Sequence, residues 1–136
     1  MKKLIIVILI TFWQIATAFS QSNADDIIGY YLATDPKTKE TTQMEVYKTT
    51  DGKYEVRVVW VENKKNSNNV GTIPIRNLTF DSKSKEWKQG KVMYEGKEYS
   101  LNASFSGPDK LKIRGFLGIS LFGKTEYWIK EKELRK

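Results

Sequence analysis

Polar and apolar residues alternate with a period of two along most of the chain from Ile27 onward, and the spacing of an amphipathic helix hardly appears. The alternation predicts strands over residues 27–33, 43–48, 54–61, 72–80, 87–94, 98–105, 110–116 and 124–130. The sixth is the cleanest: Tyr99, Leu101, Ala103 and Phe105 take one face, and Glu98, Ser100, Asn102 and Ser104 the other. In the third, the same rule groups Tyr54, Val56, Val58 and Trp60, and sets Glu55, Arg57, Val59 and Val61 opposite. Met44 and Val46 share a face of the second strand.

Turn residues punctuate these segments. Asp51-Gly52 is a strong two-residue hairpin signal, and Glu95-Gly96-Lys97 is another tight hairpin. Asp35-Pro36, residues 81–86 and Ser106-Gly107-Pro108-Asp109 read as turns, and residues 62–71 as a polar loop. Pro74 has no N–H for a ladder, so it belongs at a strand's start or on an edge. Gly115, Gly118 and Gly123 lie between the last two strands, where glycine serves tight backbone turns. Residues 131–136 form a charged tail with no visible packing face. About eight short strands joined in sequence suggest an up-and-down barrel or a sandwich. Eight is about the number whose barrel interior is filled by side chains or holds one small ligand.

The first 20 residues read as an address. Met1-Lys2-Lys3 is a positive start, residues 4–13 are apolar but for Thr11, and small residues at 16, 18 and 20 offer cleavage sites. This is the layout of a secretory signal peptide, and its apolar run falls short of the ~20 residues of a membrane span. Cleavage is expected after Ser20, with Ala18 as the alternative; residues 21–136 then form one domain, periplasmic or secreted, with no transmembrane segment. The chain has no cysteine, so it carries no lipidated thiol, and a domain of this size needs no disulfide. Loss of Lys2 and Lys3 takes the formal charge down by two from +7. An exported basic chain meets anionic envelope surfaces, at most weakly, rather than nucleic acid.

Several segments in register resemble one bacterial exported family, the domain-of-unknown-function 2147 family. Gly29-Tyr30-Tyr31 stands where the family has glycine, any residue, then tryptophan. Tyr54 to Trp60 is similar to its second hairpin arm. Trp87, Gly90, Val92 and Tyr94 match a tryptophan–glycine–aliphatic–tyrosine strand, and Gly96, Lys97 and Tyr99 the next hairpin. The most specific match is Arg114-Gly115-Phe116, Gly118, Ser120-Leu121, Gly123-Lys124-Thr125 and Trp128. Lys124 replaces the family's usual arginine, and residues 63–76 are shorter than its charged connection. The resemblance implies a single antiparallel up-and-down β-barrel of lipocalin type, with no established activity to carry over. Its motif residues here are Gly29, Arg114, Gly115, Gly118, Gly123, Thr125 and Trp128.

Candidate chemistry is narrow. Absence of histidine and cysteine removes the commonest general base, metal ligand and thiol nucleophile. No acid is framed by apolar neighbours as a glycosidase carboxylate pair requires; Glu45 and Glu126 come nearest. We therefore expect no enzyme, no metal and no cofactor. Aromatic residues are spread over almost every strand. They line a lumen for a small apolar or amphipathic ligand, or they fill a core. The expected lining residues are Trp60, Trp87, Tyr99 and Phe105. Arg114 either anchors a ligand carboxylate or phosphate or stacks on Trp128 or Tyr31 to close the barrel. The expectation is a non-enzymatic carrier, with an envelope interaction module of filled core as the alternative.

Overall fold

A computed structural model describes residues 23–94, 96–115 and 125–136. Eight antiparallel strands follow one another around a closed barrel. They are β1 (Gly29–Thr34), β2 (Thr41–Lys48), β3 (Tyr54–Val61), β4 (Ile75–Asp81), β5 (Glu86–Tyr94), β6 (Lys97–Phe105), β7 (Lys110–Gly115) and β8 (Thr125–Glu131). Closure is made by β1 on β8, where Tyr30, Tyr31 and Leu32 face Glu131, Lys130 and Ile129. Hairpin chemistry acts where the sequence placed it. Gly52 takes φ +83 in the β2–β3 turn, and the Thr49 N–H donates to the Lys53 carbonyl at 2.8 Å. Pro74 immediately precedes β4, where no ladder N–H is lost. Residues 1–20, expected to form a signal peptide, and Gly118 and Gly123 lie outside the described residues.

Ile27 departs from expectation. It ends a 3₁₀ helix, Ala24–Ile27, rather than opening a strand. This short helix lies across the barrel end that carries the β2–β3, β4–β5 and β6–β7 turns, and Ile27 is fully buried there. A second 3₁₀ helix, Lys64–Asn69, sits in the β3–β4 connection with no buried residue.

Three irregularities set the inner face. Along β2 and β3, Met44 pairs with Val58 but Gln43 pairs with Trp60, so Val59 is an extra residue. Such a bulge reverses the facing of all that follows. Val61 is buried and Trp60 turns outward, which corrects the grouping of Trp60 with Val58. Asn77 and Gln89 both take left-handed backbone (φ +67 and +63), and the Asn77 amide donates to the Gln89 carbonyl at 3.1 Å. These neighbouring bulges keep Leu78 and Phe80, and Trp87 and Gly90, on the inside despite broken periodicity. Gly90 is required for space: a Cβ would lie 2.8 Å from side-chain atoms of both Leu101 and Leu78.

The charged tail also differs from expectation. It folds back over the outer face of β1–β3, above Gln43, which is 0% exposed. The Gln43 amide donates to Glu131 Oε1 and the Glu133 carbonyl, and accepts from the Arg135 N–H. Arg135 stacks over Trp60, whose indole donates to the Lys136 carbonyl at 3.3 Å.

Candidate functional site

The barrel interior divides into two halves of different side-chain size. Around the 3₁₀ helix, Tyr31, Tyr54, Phe80, Trp87, Phe105 and Trp128 crowd with Val46, Val56, Leu78 and Leu111. Their rings interlock: Trp87 meets Phe80 at 4.9 Å and Phe105 edge-on at 5.6 Å, and Tyr31 lies 6.5 Å from Trp128. Period-two alternation aims these rings inward from neighbouring strands.

Three of their polar tips find partners on the helix. The Tyr31 hydroxyl donates to the Ile27 carbonyl at 2.8 Å, the Trp87 indole to the Ala24 carbonyl at 2.9 Å, and the Tyr54 hydroxyl to Asp25 Oδ1 at 2.5 Å. Lys130 adds its amine to the Asp26 carbonyl at 3.2 Å and lies 6.0 and 5.7 Å from the Tyr31 and Phe105 ring centres. The hydrogen bond from Tyr54, then the Lys48 ammonium 3.2 Å away, holds the Asp25 carboxyl below the ordinary carboxylate value. Burial raises both the Tyr31 and Tyr54 hydroxyls well above the ordinary tyrosine value, and nearby Asp26 and Asp25 push the same way. This end is a sealed floor. The Tyr31 and Trp87 contacts satisfy buried or part-buried groups, and such a group left unpaired costs about 1–3 kcal/mol.

Toward the opposite end the inward side chains become aliphatic. Val58, Val61, Ile75, Leu101 and Ile113 are buried, and Met44 and Val92 are half-buried. Tyr99, opposite Val92, shares the inner face with Leu101 and brings a hydroxyl to this half. Glu126 is in phase with Trp128 on β8 and opposite Ile113, and its carboxylate accepts from the Trp128 indole at 3.4 Å.

The expected lining residues therefore part company. Trp87 and Phe105 belong to the sealed floor, and Tyr99 to the aliphatic half. Trp60 lies outside under the tail. Arg114 is exposed on the outer face of β7, because Leu111, Ile113 and Gly115 take the inner one; this corrects its placement as a lumen anchor. It also corrects its role as the ring-stacked cation at the barrel end, which Lys130 takes. Lys130 was legible as in phase with Trp128, but a lysine two residues from the tail reads as a solvated charge. Among the remaining motif residues, Gly29 (φ +151) packs against Lys130, whose Cε would lie 3.3 Å from an added Cβ. Gly115 is buried opposite Leu101, and Thr125 pairs with Arg114 on the outside. Glu45, one of the two acids nearest to a catalytic setting, is an outer-face partner of Arg57 at 2.6 Å. Among the described residues no three acidic side chains gather as a metal site would need, and no helix is long and apolar enough to cross a membrane.

A closed eight-stranded meander with an N-terminal 3₁₀ helix across one end defines a lipocalin-like barrel. Protein HP1028 from Helicobacter pylori, described as belonging to the lipocalin family, superposes with a TM-score of 0.62 at 18% identity, over 79% of this chain and 84% of that one. Residues 29–130 match the family described as an uncharacterized protein conserved in bacteria (DUF2147), and the chain belongs to that family. No curated protein matches the sequence.

Proposed function

We propose that the protein is a non-enzymatic binder of a small apolar or amphipathic molecule, held in the aliphatic half of the barrel. One observation carries this reading: six aromatic residues crowd the floor, whereas valine, isoleucine, leucine and methionine wall the other half. An eight-stranded barrel is just wide enough to be filled by large side chains or to hold one small ligand. Rings meet across it; valines leave room. Tyr99 and Glu126 supply polar contacts at that end, which suits an amphipathic guest whose polar group lies toward the mouth. The lipocalin-like architecture supports the same reading. We propose further that residues 1–20 direct export and leave after Ser20, so that the ligand belongs to the envelope or its surroundings.

The test is displacement of a fluorescent fatty acid from the mature protein, with native mass spectrometry of protein taken from its own envelope. Val92→Trp fills the aliphatic half. It is expected to weaken probe binding by about tenfold or more, equivalent to about 1.4 kcal/mol, at an unchanged melting temperature. Probe binding that Val92→Trp leaves untouched would place the ligand elsewhere. An apo mass with no uptake from a lipid extract would overturn the carrier reading in favour of a filled-core module. Amino-terminal sequencing of the envelope protein tests export: Gln21 is expected, and an intact Met1 refutes it.

A further inference from the structure

The outer face of β5–β7 carries a polar groove. Asn102 and Ser104 on β6 stand directly opposite Arg114 and Lys112 on β7. Residues two apart on a strand share a face at about 7 Å, and neighbouring strands lie about 4.8 Å apart. The four side chains therefore form a compact two-by-two grid of donors. Together with Glu86 they line one groove of about 210 Å³.

Its cations carry no ion pair among the described residues. The other three arginines are committed to carboxylates: Arg57 to Glu45 at 2.6 Å, Arg76 to Glu55 at 3.3 Å, and Arg135 to Glu131 at 2.6 Å. Nearby Lys88 is paired with Asp81 at 3.0 Å, and Lys91 donates to Ser100 at 3.0 Å. Among the described residues, Arg114, Lys112, Asn102 and Ser104 have no side-chain hydrogen-bond or ion-pair partner. A guanidinium fork, an ammonium, an amide N–H and a hydroxyl lining one groove are the donor set of a tetrahedral oxyanion.

We propose that this groove binds the phosphoryl group of a phosphomonoester. Arg114 grips two oxygens, Lys112 neutralises the remaining charge, and Asn102 and Ser104 donate from the facing strand. Glu86, in the same lining, accepts the amine or hydroxyl of the ester's organic part. The site is separate from the barrel interior, since alternation directs these four side chains away from it.

Titration of the mature protein with inorganic phosphate and with phosphoethanolamine, followed by backbone amide NMR shifts, tests the assignment. Saturable shifts are expected at residues 102, 104, 112 and 114. Arg114→Gln is expected to weaken phosphate about tenfold at an unchanged melting temperature, as loss of a charge-assisted hydrogen bond implies. Arg114→Lys keeps the charge without the fork and recovers only part of the affinity. Glu86→Gln is expected to tighten inorganic phosphate and weaken phosphoethanolamine, which simple surface attraction cannot do. Vesicles of phosphatidic acid in phosphatidylcholine separate the sources: binding that Arg114→Gln abolishes assigns a lipid headgroup, and phosphate binding without vesicle binding assigns a soluble ester. Shifts that do not saturate, or titrations that Arg114→Gln leaves unchanged, overturn the site. So does vesicle binding without free-phosphate binding, which is diffuse attraction only.

Discussion

The two halves of this barrel are built from the same strands and the same alternation, yet they serve opposite ends. In the floor, bulky rings crowd together, and the polar tips of Tyr31, Tyr54 and Trp87 hold the 3₁₀ helix in place. In the far half, inward positions on the same β-strands carry Val58, Ile75, Val92 and Leu101, with no comparable stack of rings among the described residues. The difference teaches that one alternation pattern can close a small barrel with large rings at one end and wall it with aliphatic side chains at the other. Burial of the large rings concentrates packing energy in the floor.

That contrast can be broken most severely at Trp87. Trp87→Ala removes the ring that touches Phe80, Phe105 and the Ala24 carbonyl, and should cost about 3–5 kcal/mol in denaturant unfolding. Gly90→Val, at the boundary between the halves, drives a Cβ into Leu78 and Leu101; overpacking of this kind costs about 1–3 kcal/mol. Tyr31→Phe leaves the buried Ile27 carbonyl unpaired and should cost about 1–2 kcal/mol while leaving probe binding in the far half intact. Val92→Ala, in the aliphatic half, is expected to cost least, about 1 kcal/mol, and on the proposed reading to retain probe binding.

The plug also predicts how the contrast responds to pH. The Asp25 carboxyl titrates below its ordinary value of 3.8 in the folded state, so its contribution is complete above that pH and is lost as pH falls through the lowered value. Asp25→Asn should flatten this acid limb in urea unfolding. Tyr31 and Tyr54 are raised above their ordinary value of 10.0, so their contribution is complete below pH 10.0 and drains away at higher pH, as the unfolded chain ionises first. An alkaline limb that survives in the Tyr31→Phe, Tyr54→Phe double variant would show that other groups hold the floor.

Much of the architecture was legible from the chain alone. Period-two alternation and turn chemistry such as Asp51-Gly52 are local properties, so eight strands and their hairpins follow from adjacent residues. The motif residues led to the family before any coordinates. The inner and outer faces of β3, β4 and β5 were a different matter. A single extra residue at Val59 turns Trp60 outward, and no local pattern marks which residue of Val58-Val59-Trp60-Val61 leaves the ladder. Gln43 reads as a solvated polar position until the tail, some ninety residues later, folds over it. Arg114 illustrates the division: sequence supplied its anion-binding chemistry, and the register of β6 against β7 moved that chemistry from the lumen to an outer groove. Strand identity is written in neighbouring residues. Facing, closure and the meeting of Arg114 with Asn102 depend on pairings between distant segments, and those only the folded barrel decides.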